Sequence, residues 1–174
     1  MSPFIQRSTV LALFGALLCG GAGAAPAPAS PPTEPAAFVQ AATQAGLMEI
    51  EAGKLAMNVS TNSDVKTFAD RMITEHGRAG AELAVMAKKK SLAVPTDLNL
   101  GGVRMLKELR EKSAKDFDVA YAAQMVEDHT RAVQLFEANA MNKDAELAAF
   151  VELTLPVLRD HKRLAEALKA SLKK

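Results

Sequence analysis

From Pro35 onward, apolar residues recur every three or four positions, with polar residues between them. Between Pro35 and Val59 the apolar set is Phe38, Ala41, Ala45, Met48, Ala52, Leu55 and Val59, the spacing of one buried helical face. Asn58 and the stretch Ser60 to Asn62 end that helix. Ser63 is placed to cap a second one, with Asp64 in its first turn. Its inner face is Val65, Phe68, Met72, His76, Ala79, Leu83 and Met86, and it ends near Lys90. Pro95 then interrupts the chain. Leu98 to Lys112 predicts a shorter amphipathic helix.

A third long helix is predicted from about Asp116 to Met141, with Val119, Ala122, Met125, Val126, His129, Val133, Phe136 and Ala140 inward. After a turn at Asn142 to Asp144, a fourth runs through Leu147, Val151, Thr154, Leu158, His161, Ala165 and Leu168, with a kink expected at Pro156. No segment alternates with period two, so no strand is expected. The pattern predicts an all-α, ferritin-like four-helix bundle with a short extra helix in the connection between helices two and three. That connection permits a ferritin-type crossover and leaves an up-and-down order open.

The first residues follow a different logic. Arg7 precedes an apolar run from Thr9 to Leu18, which leads to small residues and an Ala22-Gly23-Ala24 exit. This order reads as a signal peptide over 1–24, because the run is too short to span a bilayer, which takes about 20 residues. The expected location is the periplasm or cell envelope after cleavage. The alternative is an uncleaved anchor in the inner membrane, facing the periplasm. Lipidation at Cys19 is disfavoured by the bulky Leu18 before it. Residues 25–35, rich in Pro and Ala, read as an extended, solvated tether, and 36–174 as the helical domain. Cleavage removes the single Cys, so the mature chain has no disulfide and no expected transmembrane helix.

Composition narrows the function. Lys and Arg number 21 against 20 Asp and Glu, and there is one Tyr and no Trp. A charge balance this even, with so few aromatic residues, argues against nucleic-acid binding. A homo-oligomer or an envelope protein partner stays open.

The chain's 3 His are distributed one to each of helices two, three and four. Each stands in the same phrase, an acid before it and an Arg two residues after: Glu75-His76-Gly77-Arg78, Asp128-His129-Thr130-Arg131 and Asp160-His161-Lys162-Arg163. The acid and the Arg are three apart, so each pair is expected to lie on a solvated flank. The histidines fall near the centres of their apolar faces. On helix one, Glu49 lies among Ala42, Ala45, Ala52 and Ala56, with room to extend inward, whereas Glu51 falls on the solvent side. Each helix thus offers one inward donor: Glu49, His76, His129 and His161.

Imidazole and carboxylate suit one divalent transition-metal ion, Zn, Fe, Mn or Cu. Buried His and Glu also form polar layers, with Tyr121 and Thr154 as helpers here. Both readings fit the spacing. Met48, Met72, Met86 and Met125 lie on core faces and read as packing, with copper thioether ligation as the alternative.

Several phrases resemble the exported bacterial domain-of-unknown-function family 4142. They are Gly46 to Ala56, Val65 to Ala69 leading to Met72-Ile73-Thr74-Glu75-His76, Phe117 to Tyr121, and Thr154 to Leu158 leading to His161. The resemblance covers about 36–170 and implies export and a ferritin-like four-helix fold. Di-iron proteins of that fold use Glu-x-x-His. Here Ile73, Val126 and Leu158 stand three before the histidines, so no di-iron enzyme is expected. The mature chain also lacks a nucleophile elbow, and hydroxyls on the apolar faces are few, so serine-type catalysis is weakly supported. Two functions remain. One is an envelope protein holding a single metal ion, for metal handling or stress defence. The other is a non-catalytic interaction protein whose His/Glu cluster is only a polar layer.

Overall fold

The computed structural model describes residues 30–173; the expected signal peptide and the first part of the tether lie outside them. The elements are α1 (Pro35–Val59), α2 (Ser63–Lys89), α3 (Leu100–Arg110), α4 (Ala114–Ala138) and α5 (Ala145–Ser171). The described residues contain five helices and no strand, as the periodicity predicts.

Local chemistry sets the boundaries. Pro35 opens α1 at a position where its missing N–H costs nothing. α2 is capped by Asn62, not Ser63: the Asn62 side chain accepts from the N–H groups of Asp64 and Val65. Asn99, Ser113 and Asp144 cap α3, α4 and α5 in the same way. α5 runs without a break through Pro156. At the end of α2, Ser91 N–H donates to the Lys88 carbonyl at 3.1 Å and Leu92 N–H to the Ala87 carbonyl at 2.9 Å. This closing motif puts Ser91 at φ 55, a left-handed conformation where glycine is the usual residue. Ser91→Gly is therefore expected to stabilise the protein by about 0.5 kcal/mol, the left-handed strain relieved less the extra entropy of an unfolded glycine. A higher urea midpoint at unchanged m-value is the readout.

α1 packs on α2 and α4, and α5 packs on the same two helices, so the long helices form a square. One core cluster joins Phe38 near the start of α1 and Leu147 near the start of α5 to Met86 and Phe136 near the ends of α2 and α4. α1 and α5 therefore run parallel, and α2 and α4 run antiparallel to them. The chain after α2 must return along the whole bundle before α4 begins. α3, packed on α1 and α4, lies in that connection. This is the ferritin-type crossover, with α1 and α2 side by side. Their approach is close: a Cβ at Gly53 would lie 2.9 Å from Ile73 Cγ1 and 3.0 Å from the Ala69 carbonyl oxygen.

Two expectations are corrected. In α4 and just past its end, which comes at Ala138 rather than near Met141, Val119 and Ala140 are exposed, while Phe117, Tyr121, Leu135 and Asn139 are buried. Val and Ala had weighed equally with larger residues, but an aromatic ring gains more from burial and turns the helix toward itself. Phe117 and Tyr121 stack with ring centroids 5.9 Å apart. The end of the tether is not free-standing either. The buried Asn139 side chain donates to the Pro32 carbonyl at 2.8 Å, and Asn142 donates to that of Thr33 at 2.8 Å.

A candidate metal centre

α2, α4 and α5 each turn one histidine into the middle of the bundle. His76, His129 and His161 are 9%, 0% and 1% exposed. Their ring centroids form a nearly equilateral triangle, 5.5 Å from His76 to His129, 5.2 Å from His76 to His161 and 5.3 Å from His129 to His161. One nitrogen of each ring lies within 4.8 Å of the other two. The layer separates two halves of the apolar core. Phe68, Met72, Tyr121 and Met125 belong to one half, and Phe38, Leu83, Phe136 and Leu158 to the other. Met48, Met72, Met86 and Met125 are all buried in these halves, as packing residues are expected to be.

Hydrogen bonds set the tautomers of two of the three rings. His129 Nδ1 donates to the Met125 carbonyl at 2.9 Å, leaving its Nε2 as a free base. His161 Nε2 donates to Glu75 Oε2 at 2.8 Å. Its Nδ1 then carries a lone pair, buried and without a hydrogen-bond partner among the described residues. His129 Nε2 and His76 Nε2 face each other at 3.4 Å. A ring that donates outward to a carbonyl or carboxylate and turns its lone pair inward is the arrangement metal-ligating histidines adopt.

Glu75 was expected to pair with Arg78 on a solvated flank. Instead it orients His161 and accepts from Arg71 Nε at 2.9 Å, while Arg71 Nη2 reaches Asp160 Oδ2 at 2.9 Å. The other two phrases pair internally as expected, Asp128 with Arg131 and Asp160 with Arg163. The difference comes from topology. Glu75 lies on the side of α2 that meets α5, and a single sequence does not reveal which helices are neighbours. Glu75→Gln keeps an acceptor for His161 but removes the charge. Metal affinity is expected to fall about 10–100-fold, read by competition with a chelator of known strength.

Glu49 is also inside, 3% exposed, but it stands behind His129. Its Oε1 is 3.6 Å from His129 Nδ1, the outward nitrogen, and it is not among the residues whose donor atoms converge. Burial, then the nearby charge of Asp128, pushes its carboxyl well above the usual range. Glu51 pairs with Lys54 at 2.7 Å on the solvent side, as expected.

Burial also sets the charge of the triangle. It holds His76 down at about 3, helped by repulsion from His129 and His161. His129 is lowered to about 4 by burial, against the opposing effect of its bond to Met125. His161 is lowered by burial more than Glu75 raises it. Glu75 is itself lowered, because its bonds from His161 and Arg71 outweigh its own partial burial. At neutral pH the layer is three uncharged imidazoles flanked by one carboxylate.

Fold and layer together define a ferritin-like helical bundle with a buried three-histidine centre. The chain belongs to a family described as a domain of unknown function, DUF4142, whose model matches residues 21–168. Comparisons with curated proteins and with solved structures return no match.

Proposed function

We propose that this is an exported envelope protein that holds one divalent transition-metal ion between His76, His129 and His161, for metal handling or stress defence. The observation that carries the reading is the buried Nδ1 of His161. It is buried without a hydrogen-bond partner, on a ring whose centroid lies 5.2 and 5.3 Å from those of two other imidazoles, while its Nε2 is tied to Glu75. A polar layer built only of hydrogen bonds leaves that nitrogen unsatisfied, which is costly in a core. A metal ion satisfies all three inward nitrogens at once.

Three neutral imidazoles favour Zn(II) or Cu(II) over Mn(II), which prefers oxygen ligands. A three-imidazole site keeps a fourth position open for a further ligand. Glu49 then has the role of a buried acid beside His129 rather than a ligand. Export rests on the order of Arg7, the apolar run and Ala22-Gly23-Ala24. Among the described residues no helix is long and apolar enough to cross a membrane.

The test is titration of chelator-stripped protein lacking residues 1–24 with Zn(II) and Cu(II). One equivalent per chain is expected. The polar-layer reading is favoured by the 3.4 Å approach of His76 to His129, which suits an N–H···N bond. On that reading no metal binds, and the protein is an interaction partner of other envelope components or of its own copies.

A further inference from the structure

A cavity of about 300 Å³ lies against the histidine layer, on the side of the Phe136 half of the core. His76 is part of its wall. The other long helices contribute residues one turn from the histidine layer: Ala45 and Gly46 on α1, Ala132 on α4 and Leu158 on α5. The cavity thus runs beside that packed half, one turn from the histidine layer, and reaches the surface at the exposed Gly77.

Three glycines line it. Gly46, Gly77 and Gly80 each sit inside a helix. Glycine is the poorest helix former after proline, so a helix interior keeps it only for a reason. Close packing is not the reason here, because a Cβ at any of the three would meet nothing within 4 Å. Alanine would fit at each and would strengthen both helices.

Resting on the metal reading above, we propose that this cavity is a binding pocket for a compact, uncharged aromatic nitrogen heterocycle whose ring nitrogen takes the fourth position on the metal. The walls carry no charged residue, and Thr43 and Thr154 supply their hydroxyls. Carboxylates and protonated amines would therefore lose their hydration without a partner. Thiols bind metal only after losing a proton, and neutral alcohol oxygens suit Zn and Cu less well than imidazole-type nitrogen. A neutral heterocycle needs neither change. Its nitrogen coordinates as it stands, and its apolar body fills the cavity.

The experiment uses the protein lacking residues 1–24, loaded with Co(II) as a visible stand-in for Zn(II). It is titrated with 4-phenylimidazole and with imidazole, and the same is done for Gly80→Leu. A 4-phenylimidazole affinity about 10–100-fold above that of imidazole is expected, the factor for burying a phenyl group. Gly80→Leu should erase the advantage, keep the cobalt affinity and raise the Tm. Equal affinities in cobalt-loaded protein, or an advantage that survives Gly80→Leu, overturn the pocket and leave the metal reading standing. Failure to bind cobalt overturns both.

Discussion

Replacing His129 by Ala is expected to abolish specific metal uptake. The imidazole of His129 is completely buried, and its Nδ1–H is anchored on the Met125 carbonyl, which fixes the ring in the layer. Losing one of three ligands leaves two nitrogens in an apolar core, too few to offset the dehydration of a divalent ion. His76→Ala should have the same effect, since its Nε2 faces that of His129. Glu51→Gln, on the solvent side, should leave uptake unchanged. Isothermal titration of the three variants checks this. Retention of one equivalent by His129→Ala would remove the layer from the metal account.

The second large effect is in acid. An unfolded histidine takes up a proton near pH 6.5. In the fold, His76 does so only at about 3 and His129 at about 4. Their contribution to stability is therefore complete above pH 6.5 and declines as the pH falls toward those folded values, because the unfolded chain binds protons the native one cannot. At pH 4.5 each histidine has lost on the order of 2 kcal/mol, and the two together are a large share of a small domain's total stability. Glu49 acts in the opposite direction: its raised folded pKa makes the neutral acid more favourable as the pH drops toward its unfolded value. The Glu49→Gln variant removes that opposing contribution, so its urea midpoints between pH 7 and 4.5 read the histidines alone. A flat profile across that range would contradict the burial of neutral rings. The same shifts bear on metal uptake, which requires neutral imidazoles. Protons compete for His76 and His129 only near pH 3 and 4, and His161 is also lowered, so loaded protein should retain its ion below pH 6.

The helices were legible because their apolar faces repeat cleanly, and the histidines because each interrupts such a face at its centre. Pairing every acid with the Arg three residues later worked for Asp128 and for Asp160, although Asp160 also accepts from Arg71 of α2. It failed for Glu75, whose partner His161 comes from α5. Glu49 was correctly read as buried, yet its carboxyl meets the outer edge of His129 rather than the centre of the triangle. Periodicity places a side chain on a face, not at the atom it approaches. The inward residues of α4 were misread where Ala and Val stood for large side chains. Gly77 and Gly80, inside a strongly periodic helix, were the one visible trace of the cavity. Only the structure excludes close packing as their cause.

The most direct test of the three-histidine centre is X-ray absorption at the zinc edge on protein loaded with one equivalent of Zn(II). Scattering from three imidazole rings at about 2.0–2.1 Å, together with one lighter exchangeable ligand, is the predicted result. A shell dominated by carboxylate and water oxygens would place the zinc on the acidic surface and contradict the account.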